Sequence, residues 1–355
     1  MASKRILVIN FGGIGDQILF SPVLSTLKKV FNDAFITFVT EQRSKGAVKL
    51  TRNIDEIYIR DLKGRNKLFE AIKLILKAIF GRYDMVVSSG SSALIPILLF
   101  LTGIKERIGY DSGALSRLLL TKAVPLKKQQ YASNMYHDLV AHLDNGREAG
   151  LSELQLSVSE GRMKYIDGLL AGNVDGKRQI VIHPGVSKLS IQKKIIKFWD
   201  EANWLELIKN LLSDGRYRVI LTGGPDDREI YASIRKSLSE IGMVQDSLLD
   251  LSEEKLGIDE FAYIVSKSDL LVCVDSAPMH IAVGLKKAVV AIFGPTDEKK
   301  LLPTYNNLFI PIKNDSVQCR PCLWDKRQIS CDKRDCLNIS VEQVFAAVAD
   351  TTCQI

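Results

Sequence analysis

The chain has 355 residues, 46% of them hydrophobic and 25% charged. That is long enough for two domains with full cores, and it is the composition of a soluble globular protein rather than a disordered polymer. A formal charge of +7 is modest for this length; it suits an anionic substrate, a weak attraction to an anionic membrane surface or a plain solvated surface, and gives no reason to expect nucleic acid.

Met1 to Phe20 carries Lys4 and Arg5 ahead of only a short apolar run, which is not the core of a signal peptide. Leu94 to Leu101 is strongly apolar, but its length and Pro96 keep it from spanning a bilayer. A cytoplasmic protein is expected, with room for peripheral contact at the membrane.

The first strand is expected over Arg5 to Phe11, after which Gly12-Gly13-Ile14-Gly15-Asp16 turns the chain toward a helix with Val23, Leu24, Leu27, Val30 and Phe31 on one side. The turn is not G-x-G-x-x-G, because Ile18 stands where the last glycine would be, and no Walker lysine follows. Asp16 lies at the carboxyl end of the strand, where open α/β sheets place their ligands. Either it caps the helix, or Ser21-Pro22 starts the helix and Asp16 is left free to face a cleft.

Further strands follow at Phe35 to Thr40, Glu56 to Arg60 and Asp84 to Ser88. The basic stretch between them holds Lys73 and Lys77, read as the solvated face of an amphipathic helix. Lys63, Arg65 and Lys67 precede that helix and are candidates for meeting an anionic acceptor, with ordinary solvated surface as the competing reading. Arg107 to Asp111 and a loop through Ser116 close the first half, and residues 134–145 add a helix. The polar stretch from Ser157 to Arg178 reads as a linker with an embedded helix, which sets domains at 1–172 and 173–355.

The second half repeats the pattern. Gln179 to His183 is a strand ending in His183-Pro184-Gly185, Trp199 to Ser213 a helix, and Tyr217 to Thr222 a strand ending in Gly223-Gly224-Pro225. Helices are expected from Asp227 to Ile241 and from Phe261 to Ser266. Leu270 to Val274 then stops at Asp275-Ser276, Pro278 opens a helix, and Ala288 to Phe293 ends in Gly294-Pro295-Thr296-Asp297. The helix start at Ser276 to His280 favours an anion, with a diphosphate the natural candidate and an ordinary buried crossover the alternative. His183 and His280 read as hydrogen-bonding structural residues. Two doubly wound domains imply a cleft faced by strand ends.

Six cysteines occur, four of them as Cys319-x2-Cys322-x8-Cys331-x4-Cys336. That set suits a tetrahedral thiolate site for zinc or iron, against a competing reading as free or packed thiols. Cys273 lies inside an apolar strand and Cys353 in the tail.

The stretches ILVINFGGIGDQILFSPVLSTLKKVF, RIGY, HPG, KFWDEANWLELI, TGGPDDREI, DSAPMHIA, VVAIFGPTD and CRPC…C…CL occur in this order across nearly the whole chain. Together they resemble the glycosyltransferase family 9 proteins, the ADP-heptose:lipopolysaccharide heptosyltransferases. The resemblance implies a GT-B fold, two Rossmann-like doubly wound domains facing a central cleft, with the acceptor on the first and the nucleotide sugar on the second. It implies Asp16 as catalytic base, with Gly13 and Gly15 beside the acceptor. Donor contacts fall on Ser187 and Lys197, on Asp275, Ser276, Ala277, Pro278, Met279 and His280 around diphosphate and sugar, and on Asp226 or Glu229 at the ribose. Ala277 replaces a glycine and narrows the allowed backbone; Asp200, Ala288 and Glu298 stand where the family commonly has proline.

The implied reaction is inverting transfer of heptose from ADP-heptose to an acceptor hydroxyl such as that of the lipopolysaccharide inner core. It needs no cofactor, and the chain contains no Asp-x-Asp for a bridging metal. The rival readings are another nucleotide-sugar donor or a protein or small-molecule acceptor, a sugar-nucleotide epimerase, and a non-catalytic nucleotide-sugar binding protein.

Overall fold

The computed structural model describes residues 3–51, 53–144, 153–158, 163–172, 176–185, 195, 197–224, 227–240, 247–323, 331 and 333–355. Its contacts divide into two compact units, Met1–Ser157 and Val158–Ile355. The helix α8 (Met163–Leu170) belongs to the second unit. Arg218 donates to its Leu170 carbonyl at 2.7 Å and Tyr263 donates to Asp167 at 2.7 Å, so the units part ahead of the expected residue 172.

The first unit is a six-stranded parallel sheet of β1 (Arg5–Ile9), β2 (Phe35–Thr40), β3 (Glu56–Ile59), β4 (Met85–Ser88), β5 (Glu106–Tyr110) and β6 (Lys122–Val124). Its order is β3-β2-β1-β4-β5-β6. The second unit holds β7 (Arg178–His183), β8 (Tyr217–Leu221), β9 (Leu248–Asp250), β10 (Leu270–Val274), β11 (Ala288–Phe293) and β12 (Phe309–Lys313), ordered β12-β11-β10-β7-β8-β9. This is the same winding seen from the other edge. In each unit the order reverses between the first and fourth strands, which opens a crevice at their carboxyl ends.

Helices on both faces explain why the strands read as unbroken apolar runs rather than alternating ones. In the first unit Ile6, Val8, Ile36 and Phe38 pack on α2 (Ser21–Val30) and α7 (Ala132–Ala141). Leu7, Ile9 and Val86 point the other way, onto Leu74 of α4 (Lys67–Gly81) and Leu99 of α5 (Leu94–Leu101). In the second, Ile182, Val219, Val272 and Val290 pack with Trp204, Leu207 and Leu211 of α9 (Glu201–Asp214) and Val344 and Val348 of α14 (Val341–Cys353).

The remaining helices are α1 (Ile14–Leu19), α3 (Lys45–Val48), α6 (Ala114–Leu119), α10 (Arg228–Glu240), α11 (Ile258–Lys267), α12 (Ala277–Gly284) and α13 (Glu298–Leu301). Among the described residues no helix is long and apolar enough to cross a membrane.

One helix reverses its expected polarity. Lys73 and Lys77 of α4 are half-buried, paired with Glu70 at 3.0 Å and Glu56 at 2.6 Å, while Ile72 and Leu76 are exposed. The lysine stems lie along the helix flank and their heads reach carboxylates beside the sheet, which leaves the outer face apolar.

Candidate active site

The crevice at the end of β1 is built by a loop held from several sides. Gly12 N–H donates to Asn10 Oδ1 at 2.9 Å, Gln17 Nε2 donates to the Asn10 and Gly12 carbonyls at 3.0 and 3.1 Å, and Ser44 Oγ donates to the Gly12 carbonyl at 2.9 Å. The helix begins at Ile14, not at Ser21-Pro22, so Asp16 lies in the first turn of α1; Ser21 and Pro22 instead open α2. Asp16 Oδ2 accepts the Gly13 N–H at 2.7 Å, the reciprocal arm of a capping box.

Capping does not exhaust the residue. Asp16 Oδ1 accepts the hydroxyl of Tyr136, from α7, at 2.9 Å. Burial and then the Asp16 charge push that phenol well above its usual range, so Tyr136 remains a donor. Its ring is wedged edge-on against Phe20, with centroids 5.6 Å apart. Two fixed donors set the plane of the half-exposed carboxylate and leave each oxygen a further lone pair. Gly12 is required by space, because a Cβ there would lie 2.3 Å from Asp16 Cβ, whereas one on Gly13 would meet nothing closer than 3.6 Å.

Of the basic residues preceding α4, the structure brings one to this loop. Lys63 pairs with Glu41 at 2.8 Å and its ammonium donates to the Phe11 carbonyl. Arg65 and Lys67 are exposed, and Gly15 lies within α1.

In the second unit the matching crevice is at the end of β10. Asp275 is buried, and its Oδ2 accepts Lys197 Nζ at 2.7 Å and Thr296 Oγ1 at 2.5 Å. Burial alone would raise its pKa; the Lys197 ammonium, the Thr296 hydroxyl and nearby His280 outweigh it and hold the carboxyl below its usual value. The Lys197 side chain is 21% exposed, in contrast to the buried carboxylate it meets. Two residues on, Trp199 is buried with Nε1 donating to the Ile339 carbonyl at 3.0 Å, an anchor that fixes how far Lys197 reaches.

Ser276 is the N-cap of α12, but its hydroxyl turns back to the Val274 carbonyl at 3.2 Å and caps nothing. The first amides of α12 therefore have no side-chain cap. Ala277 and Pro278 form its first turn, with Met279 and His280 buried behind. Ala277 is not among the residues with positive φ, so its methyl meets no backbone penalty there. The other departures are accommodated as well. Asp200 stands at the N-cap position of α9 with φ −61°, the value a proline would impose, and Glu298 binds Lys313 at 2.7 Å and Arg320 at 3.2 Å.

At the end of β7, His183 Nδ1 lies 3.3 Å from Thr222 Oγ1, and Nε2 lies 4.0 Å from Asp227 Oδ2. Burial pushes its imidazole down to about 4, which makes it a neutral hydrogen-bonding residue at physiological pH. Asp227, absent from the sequence-based candidates, accepts the Gly224 N–H at 3.0 Å and fills the space over Gly185, where a Cβ would stand 2.1 Å from its Cγ. Ser187, Asp226 and the side chain of Glu229 lie outside the described residues.

The cysteine-bearing loop is tied to this crevice. Arg320 donates to the carbonyls of Gly294 at 2.6 Å and Thr296 at 3.2 Å, and the amides of Cys322 and Leu323 donate to the Pro295 carbonyl. Cys319, Cys322, Cys331 and Cys336 are all free thiols. Burial and then the neighbouring thiols raise the pKa of Cys322 and Cys336, so the four share one neighbourhood. Among the described residues, no three His, Cys, Asp or Glu side chains are gathered closely enough to hold one ion.

These crevices can be set beside known proteins. Lipopolysaccharide heptosyltransferase 3 of Escherichia coli is 26% identical over 302 residues, covering 83% of this chain and 84% of that one. Among solved structures, E. coli ADP-heptose lps heptosyltransferase II superposes with a TM-score of 0.76 at 21% identity over 99% of both chains. The iron-containing dodecameric glycosyltransferase TibC from enterotoxigenic E. coli superposes at 0.56 with 14% identity, over 99% of this chain and 77% of that one. The fold is thus GT-B, built from two Rossmann-like units. The model of glycosyltransferase family 9 (heptosyltransferase) matches residues 72–331, well over half the chain. With Asp16 fixed at one strand end and Lys197 on Asp275 at the other, the chain belongs to glycosyltransferase family 9.

Proposed function

We propose that the protein transfers heptose from ADP-heptose to a hydroxyl of a lipopolysaccharide inner core, with inversion and without a divalent metal. The observation that carries this reading is the Lys197–Asp275–Thr296 cluster beside the uncapped start of α12. It offers a cation and the positive end of the α12 dipole to a leaving diphosphate, the part a bridging metal plays elsewhere. The heptosyltransferase names of the relatives support donor and acceptor.

In this reading the first unit binds the acceptor and the second the donor. Asp16 takes the proton of the acceptor hydroxyl as its oxygen bonds to the anomeric carbon, and ADP departs from the opposite face with the electron pair of the broken C–O bond. Lys63, held at the glycine turn, assists the acceptor side together with the exposed Arg65 and Lys67. Ser187, Asp226 and Glu229 remain donor candidates from the resemblance alone.

Thermal stabilisation by ADP, GDP, UDP and CDP, each with and without magnesium, tests the donor. ADP alone is expected to raise the melting temperature, equally in chelator. Preference for another base would discard ADP-heptose, and no response to any would favour a non-catalytic binding protein.

Gly12→Ala tests the Asp16 loop. The new methyl must displace Asp16 Cβ, so turnover is expected to fall about 100-fold, as for a catalytic group misplaced by an ångström, with ADP binding retained. Unchanged turnover would show that the carboxylate position does not matter.

The four cysteines supply the donor chemistry of a structural zinc or iron site, and the likeness to an iron-containing glycosyltransferase supports it. Such an ion would staple the loop that Arg320 ties to Gly294 and Thr296. Metal analysis of protein purified without a chelating column decides the point; less than stoichiometric zinc and iron removes the site.

A further inference from the structure

We propose that the outer face of α4, α5 and α6 docks the first unit on an anionic lipid surface. The inner faces of these helices already cover the sheet through Leu74, Ala78 and Leu99. Their outer faces carry a second apolar set that the core does not use: Phe69 at 57% exposure and Phe80 at 79% on α4, Leu94 at 71% and Leu101 at 53% on α5, and Leu118 at 78% on α6. Because α4 packs beside α5 and α5 beside α6, these side chains belong to one continuous layer. Exposed apolar residues in such number on adjoining helices mark an interaction surface, whereas scattered single ones do not.

Charge selects the occupant. Between Arg60 and Lys122 the chain has eleven Lys and Arg against five Asp and Glu, a surplus of six where the whole chain has +7. Lys77 is turned inward to Glu56, and Lys73 pairs with Glu70 on its own helix with its ammonium 4.2 Å from the centre of the Phe69 ring, while Arg82, Lys105, Arg117 and Lys122 are exposed. Apolar side chains flanked by cations match a bilayer whose phosphates lie just above its acyl chains. A second copy of the chain fits less well, since a two-fold contact would set this surplus against itself. The inference stands on the face alone and does not require the transfer reading.

Flotation of the full-length protein with vesicles of phosphatidylcholine, or of equal parts phosphatidylcholine and phosphatidylglycerol, tests it. Binding is expected to the anionic vesicles, weakened by salt, and about tenfold weaker in a Phe69→Ser, Phe80→Ser, Leu118→Ser variant whose melting temperature is unchanged. Wild-type protein that stays with the buffer, equal binding to neutral vesicles, or a variant that binds like wild type overturns it. So does a dimer that the variant dissolves without any vesicle binding. Transfer to a soluble acceptor is read separately: protein that transfers but does not bind vesicles loses this inference alone, and protein that binds but never transfers loses only the assigned reaction.

Discussion

Asp16→Asn is expected to lower kcat by about two to four orders of magnitude, the usual worth of a general base, while ADP binding stays close to wild type. The asparagine is nearly isosteric, and its carbonyl oxygen can still accept from Tyr136 or from the Gly13 N–H, so the first turn of α1 is retained. Tyr136→Phe is the companion. It removes one donor, leaves the ring on Phe20, and is expected to cost far less than the loss of the base. Single-turnover rates would separate the two effects. Equal turnover in Asp16→Asn and wild type would make Asp16 a helix cap and nothing more.

Lys197→Met is expected to act twice. It leaves a buried carboxylate without its ammonium partner, and breaking a buried pair in this way costs about 3–5 kcal/mol. It also removes the cation offered to the diphosphate. The double variant Lys197→Met, Asp275→Asn separates these, since it is expected to recover most of the melting temperature but not ADP binding.

The pH dependence has a definite sign. In wild type the Asp275 pKa is held below its unfolded value near 3.8, so its contribution is present above that pH and lost as pH falls through the folded value. In Lys197→Met burial dominates and raises that pKa. The deficit of the variant is therefore largest at neutral pH and shrinks as the carboxyl protonates. Wild-type ADP affinity in Lys197→Met would move the phosphate site elsewhere.

Most of the sheet was legible in the chain because parallel strands buried on both faces write themselves as apolar runs. Strands β6 and β9 have three residues each, too few for such a run. The start of α1 stayed open between two readings because Ser21-Pro22 is a strong opening signal, and here it opens α2 after a break at Phe20.

The residues that complete the candidate site were hidden by distance along the chain. Tyr136 is 120 residues from Asp16, and Lys197 is 78 from Asp275. No local pattern ties Thr296 or Arg320 to the turn after β10. The polarity of α4 was misread for a related reason: Glu56, which draws Lys77 inward, comes from β3, and only the fold brings it alongside.

The most direct test is transfer itself: ADP-heptose and a heptose-deficient lipopolysaccharide core incubated with the protein in excess chelator, with released ADP measured and the new linkage read by NMR. Release of ADP that depends on the acceptor, with an inverted anomeric centre in the product, is the predicted result. A retained configuration, a requirement for added divalent metal, or no transfer by protein that binds ADP would contradict it.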